Sequence, residues 1–225
     1  MKIVLSLLFS LALAAEIIIP QETRQLLHVQ SSDFNTTKGT LQAYERGSNG
    51  WERVFSPIDV NLGRKGLAWG EGDLLVQQKE DEPLKYEGDG KAPAGLFSLD
   101  LFFGYEKKNF NFKYLQVQEN DICVDDVHSK AYNQLVLDAD VNQYQSYEKM
   151  KRSDNLYELG IVVGHNKKRI NKRGSCIFIH IQREQDSPTA GCTSMSKENL
   201  LRLMQWLDSS AKPLLLQHPG KKDFI

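Results

Sequence analysis

Two short apolar segments rich in β-branched residues, 157–163 (YELGIVV) and 177–181 (IFIHI), constrain this chain more than anything else in it. Both are almost continuous in apolar side chains, the pattern of strands buried on both faces. Together with 134–137 they predict the centre of a sheet. Upstream, the stretches 25–30, 40–46 and 51–55 read as further short strands, the last two joined as a hairpin by Gly47-Ser48-Asn49-Gly50. A helix follows late in the chain. Ser196 stands at its start, Leu200, Leu203, Met204 and Leu207 fall on one face, and Pro213 closes it. The fold class expected from this order is mainly β with a few helices (α+β).

The second segment also carries chemistry. Side chains alternate along a strand, so His180 shares a face with Phe178. Twelve residues after His180 stands Cys192, at the end of Thr189-Ala190-Gly191-Cys192. Pro188 and Gly191 interrupt regular structure between the two, which lets the chain turn back and set the thiol beside the imidazole. An imidazolium neighbour lowers the free thiol's pKa of roughly 8.5 by several units. The pair therefore suits cysteine acyl transfer: Cys192 as thiolate nucleophile, His180 as base and then as acid to the leaving amine. The amides around Gly191 and Cys192 would be oxyanion donors. The rival reading is a packed thiol and a satisfied strand histidine.

Other features bound the function. The chain has 225 residues and a formal charge of −1, and its basic clusters, Lys167-Lys168-Arg169 and Lys172-Arg173, are short, so no nucleic-acid partner is expected. The glycines between 61 and 95 match neither a phosphate loop nor GxGxxG, which argues against nucleotide binding. Residues 1–15 combine Lys2, an apolar core over 3–13 and small residues at Ala12 and Ala14, the pattern of a secretory signal peptide. The expected protein is exported and periplasmic, with residues 16–225 forming one domain and no segment integral to the membrane. In an oxidising compartment three cysteines allow one disulfide, for which Cys123 and Cys176 are the candidate pair, and one free thiol. No metal is expected: Cys176 and His180 would lie about 13 Å apart on a straight strand at ~3.3 Å per residue, too far to share an ion.

The segment Thr189-Ala190-Gly191-Cys192-Thr193-Ser194-Met195 after a histidine strand resembles the active-site signature of the YkuD-type L,D-transpeptidases. The likeness extends upstream through Gly63-Arg64-Lys65-Gly66, Glu87-Gly88-Asp89-Gly90-Lys91-Ala92-Pro93-Ala94-Gly95, Phe103-Gly104-Tyr105, Val124-Asp125-Asp126 and Gly174-Ser175-Cys176. It covers roughly residues 40–215 and is similar to an exported bacterial branch of that family.

The resemblance implies a YkuD-like β-sandwich that acts on peptidoglycan stem peptides without a cofactor. Cys192 would attack the carbonyl at the L-centre of diaminopimelate and expel the terminal D-alanine. An amine would then resolve the thioester as transpeptidation, or water as L,D-carboxypeptidation. The resemblance maps the base to His180, the nucleophile and its preceding glycine to Cys192 and Gly191, and the supporting Ser/Thr to Thr189. Two positions depart from the family pattern: Ala190 stands where it has histidine, and Ser194 where it has an arginine associated with substrate. Arg183 is the nearby cation that would compensate, and His165, after a core strand, is a further candidate for the cleft. An L,D-endopeptidase or amidase, and an inactive wall-binding module, stay open as alternatives. Asp125, Asp126 and Glu148 offer carboxylates for a glycosidase pair, and Asp89 and Lys91 mark either a site loop or a structural turn. The oligomeric state is left open.

Overall fold

The computed structural model describes residues 18–72 and 80–220, so the signal peptide expected at 1–15 lies outside the described residues. In chain order the strands are β1 (Gln25–Ser31), β2 (Lys38–Gly47), β3 (Gly50–Arg53), β4 (Ile58–Asn61), β5 (Leu67–Trp69), β6 (Ala92–Gly104) and β7 (Tyr114–Gln116). Then come β8 (Ile122–Val124), β9 (Gln134–Val136), β10 (Glu148–Lys149), β11 (Leu159–Val163), β12 (Phe178–Ile181), β13 (Thr193–Met195), the helix α1 (Lys197–Trp206) and β14 (Leu214–Pro219).

The YkuD-like β-sandwich with a few helices is not what forms. Strands β1, β14, β6, β11, β12, β13, β4 and β2 each pair with the next, and β2 pairs back with β1, which closes an eight-strand barrel of mixed direction. Among the described residues α1 is the only α-helix. Closure depends on the ten-residue length of β2. Its residues 38–41 pair with β4, and 40–45 pair with β1. A sandwich needs free sheet edges, and this dual pairing removes them. The thirteen-residue β6 works similarly: 95–98 pair with β14 and 99–104 with β11, while β5 and β7 add parallel strands at its two ends.

The strands β11 and β12 are neighbours in the barrel wall, as their apolar runs require. β9, expected beside them, instead joins β8 and β10 in a separate three-stranded sheet, and Leu137 just after it is 55% exposed. The short apolar run there is half-solvated because β9 is an edge of that small sheet, whereas the central β8 is buried.

α1 lies against β11 and β12. Ten residues are too few for a helix to hold by itself in water, so its stability comes from packing. Ser196 caps it by accepting the amide of Asn199, and Leu200, Leu203, Met204 and Leu207 enter the main core with Phe97, Phe102, Ile161, Ile179 and Met195. Each such burial contributes about 1.5–3 kcal/mol. A second cluster lies on the other face of the β11–β12 wall: Phe103, Tyr157, Phe178, Cys176 and Cys192. Gly160 makes room for it, since a Cβ there would meet the Phe103 ring at 2.2 Å. A Cys123–Cys176 disulfide ties β8 to the segment leading into β12. Among the described residues no helix is long and apolar enough to cross a membrane.

Candidate active site

β12 and β13 run parallel with Ile179 opposite Thr193, and His180 opposite Ser194. The same register sets Cys192, one residue before β13, opposite Phe178. Alternation then sorts the side chains: Ile179, Thr193 and Met195 face the barrel core, whereas Phe178, His180, Cys192 and Ser194 share the outer face. Cys192 and His180 are thus diagonal neighbours on one face of adjacent strands. Both line one cavity of about 400 Å³, together with Thr189, Ala190, Gly191, Ser194 and Arg183. Cys192 is the free cysteine.

The turn before Cys192 is held by Thr189. Its hydroxyl donates to the Cys192 carbonyl at 2.6 Å and accepts the Gly191 amide at 3.1 Å. That bond engages the Gly191 N–H, one of the two amides expected as oxyanion donors. Glycine at 191 has a packing reason as well, because a Cβ would stand 3.1 Å from the Lys91 carbonyl oxygen. The loop carrying Lys91 is itself pinned by the buried Lys85–Asp89 ion pair at 2.6 Å, and Asp89 also accepts the amides of Tyr86 and Lys91. Asp89 is therefore a structural turn residue, and the Lys91 ammonium donates to the carbonyls of Lys65 and Leu67.

The electrostatics correct the expected thiolate. Burial, reinforced by the Glu148 carboxylate, pushes the Cys192 thiol up to about 12. Burial likewise lowers His180 to about 4, against the opposing pull of its bond to the Ile181 carbonyl. Both groups rest neutral. The Cys192 sulfur accepts the Phe178 amide at 3.3 Å and its thiol donates to the Cys176 carbonyl at 3.7 Å. The His180 ring lies 2.8 Å through Nδ1 from the Ile181 carbonyl oxygen. A carbonyl only accepts, so Nδ1 carries the proton and Nε2 keeps the lone pair of a base.

Several residues at the cavity were not assigned a role by sequence motif. Tyr157 stacks edge-on against His180 at 5.2 Å and donates to Glu148. Arg152 lies 5.1 Å over the Tyr157 ring and forms a two-point pair with Asp154, which Arg183 also approaches at 3.5 Å. Arg64, Lys85, Glu87 and Asp125 complete the charged lining. The acid-pair alternative pointed at part of this set, but Asp126 turns away to accept the amides of His128 and Gln145. His165 is not brought into the cavity: it is 2% exposed behind the wall, with Nε2 3.0 Å from the Arg173 carbonyl and its ring against Phe97. The turn after β11 buries it, which alternation along the strand does not foretell.

No family model matches the chain, and no curated protein does. Among solved structures, Bd1075 of Bdellovibrio bacteriovorus aligns at 16% identity over 87% of this chain and 48% of its own, with a TM-score of 0.42. The helical cell shape determining protein Pgp2 of Campylobacter jejuni aligns at 14% identity over 88% of this chain and 49% of its own, with a TM-score of 0.44. A point variant of Pgp2 gives 0.47 at 14% identity, over 90% and 49%. The chain spans about half the length of the proteins it matches.

Proposed function

We propose that this protein is an exported, periplasmic cysteine acyltransferase of the YkuD type, acting on peptidoglycan stem peptides as an L,D-transpeptidase or L,D-carboxypeptidase. The observation that carries the reading is a free thiol sharing one cavity with an imidazole whose Nδ1 is tied to a carbonyl, so that Nε2 is left as base. The motif likeness around Thr189, Gly191 and Cys192 supports the substrate class.

In this mechanism the resting thiol is protonated and is ionised only within the substrate complex. His180 Nε2 takes the proton as sulfur bonds to the donor carbonyl carbon. The tetrahedral adduct collapses, the C–N bond to D-alanine breaks, and His180 returns the proton to the leaving amine. A thioester on Cys192 remains, and a second amine or water displaces the sulfur with His180 again acting as base. A nucleophile that is neutral at rest suits an exported enzyme, because the thiolate is the form that oxidants attack.

The test is digestion of a defined tetrapeptide muropeptide with and without an acceptor amine, followed by intact mass of the protein. New 3-3 crosslinks or tripeptides, a thioester-sized adduct on the wild type, and neither with Cys192→Ala are the expected results. Loss of crosslinks or release of attached protein would replace the reading with a hydrolase using the same thiol. Sacculus binding with every muropeptide unchanged would replace it with a binding module.

A further inference from the structure

One wall of the cavity is acidic: Glu87, Asp125 and Glu148 all line it. They come from three separate places, the loop after Lys85, the end of β8, and β10. Two are oriented by hydroxyl groups. Glu87 accepts from Tyr132 and Ser175, and Glu148 from Tyr157. The three are close enough to repel, since Asp125 and Glu87 both act on Glu148 and, with burial, raise its pKa.

Two lining cations are hydrogen-bonded to other carboxylates, although the Arg152 charge still pulls against the rise at Glu148. Lys85 is paired with Asp89, and Arg152 is held in two-point contact by Asp154. Meanwhile two buried acceptor atoms at the cavity have no partner among the described residues: Asp125 Oδ1 and the hydroxyl oxygen of Ser194, a residue only 1% exposed. Unpaired buried polar atoms are costly, and here both belong to cavity-lining residues. Among the described residues no three carboxylate, imidazole or thiol groups are arranged to hold a metal ion. An ammonium group suits the wall instead, with three donors for separated acceptors.

We infer that Asp125, Glu148 and Glu87 form a recognition site for a primary ammonium on the acyl donor. The inference rests on the proposed function and deepens it: the ammonium is the free amino group at the second centre of diaminopimelate, so the preferred donor is a stem peptide whose side-chain amine is not already in a crosslink. Arg64 and Arg183 line the same cavity. Occupancy also bears on the nucleophile. The Glu148 charge is the second cause, after burial, that keeps Cys192 protonated, and a bound ammonium offsets it. Recognition would thereby favour ionisation of the thiol only when the right donor is present.

The experiment uses the full chain and two tetrapeptide muropeptides, one with the side-chain amine free and one with it acetylated, and reads D-alanine release as kcat/KM. The wild type is expected to prefer the free amine on the order of 10²-fold or more. Asp125→Asn and Glu87→Gln should lose most of that preference by slowing the free-amine substrate more than the acetylated one, so that the ratio of the two rates falls towards one. Unchanged thermal melting and Cys192 alkylation would show that the variants are folded. Equal wild-type rates on both substrates would overturn the ammonium site and leave the acyltransferase reading standing. A full preference retained in both variants would overturn the assignment to this wall. Turnover of neither substrate would overturn the acyltransferase reading and the inference with it.

Discussion

The two faces of the β12–β13 ladder lie one residue apart in sequence and differ in how completely they are built. On the barrel face Ile179 and Met195 are fully buried in the main core near α1. The one polar side chain there is completed: Thr193 donates to Gln217 at 2.8 Å, and the Gln217 amide donates to the Pro93 carbonyl. On the cavity face His180, Cys192 and Ser194 are buried to a similar degree, yet among the described residues the Ser194 hydroxyl has no partner, and burial pushes both titratable groups further toward their neutral forms. Equal burial therefore serves two purposes. One face is finished, and contributes stability; the other is left open at the atoms a substrate would complete.

That contrast can be broken most sharply by a change that costs chemistry and spares the fold. His180→Gln should reduce kcat about 10²–10⁴-fold, the usual range for a lost general base, with the melting temperature nearly unchanged. A variant retaining most of its activity would remove His180 from the mechanism. The mirror experiment is Ile179→Ala, one residue earlier on the opposite face. It should lower unfolding free energy by about 2–5 kcal/mol in a denaturant titration while activity per folded molecule is kept. Comparable loss of activity without loss of stability would mean that the faces are not separable.

Acid should act through the neutral histidines. His180 sits at about 4, and His165 and His28 at about 3, all depressed chiefly by burial from an ordinary 6.5. Because the unfolded chain binds more protons below 6.5, stability present above that pH is lost as pH falls from 6.5 towards 4 and then 3. Calorimetry at pH 7 and pH 4.5 should show the fall, and His180→Gln should lessen it by that residue's share. An unchanged melting temperature across the window would contradict the buried neutral rings. The smallest effect belongs to Ser194→Ala. Removal of an orphan hydroxyl should leave stability within about 0.5 kcal/mol or raise it slightly, whereas a drop of several kcal/mol would reveal a partner for that oxygen.

Local pattern was a good guide wherever the cause of structure is local. The strands β1, β11 and β12, the β2–β3 hairpin and α1 with its Ser196 cap all follow from periodicity, turn residues and capping. The longest strand did not announce itself. β6 begins Ala92-Pro93-Ala94-Gly95, a poor strand sequence by composition, and it is extended because β5, β14, β11 and β7 pair along its length. Barrel closure was hidden for the same reason, as it depends on β2 pairing on both sides, from Gln25 in β1 to Asn61 in β4.

The site divides along the same line. Thr189, Gly191, Cys192 and His180 could be picked out from the chain, because the turn residues between strand and thiol permit a return beside the imidazole and the motif likeness marks the rest, while the β12–β13 register puts Cys192 and His180 on one face. The protonation of the thiol, the exclusion of His165 and the acidic wall of Glu87, Asp125 and Glu148 could not be, since each arises from desolvation or from segments far apart in sequence. Sequence determined which side chains alternate and which residue types carry the chemistry, through steric preferences that act over a few residues. Only the tertiary structure decided which of them meet and how water is excluded around them, because long-range strand pairing and burial set both.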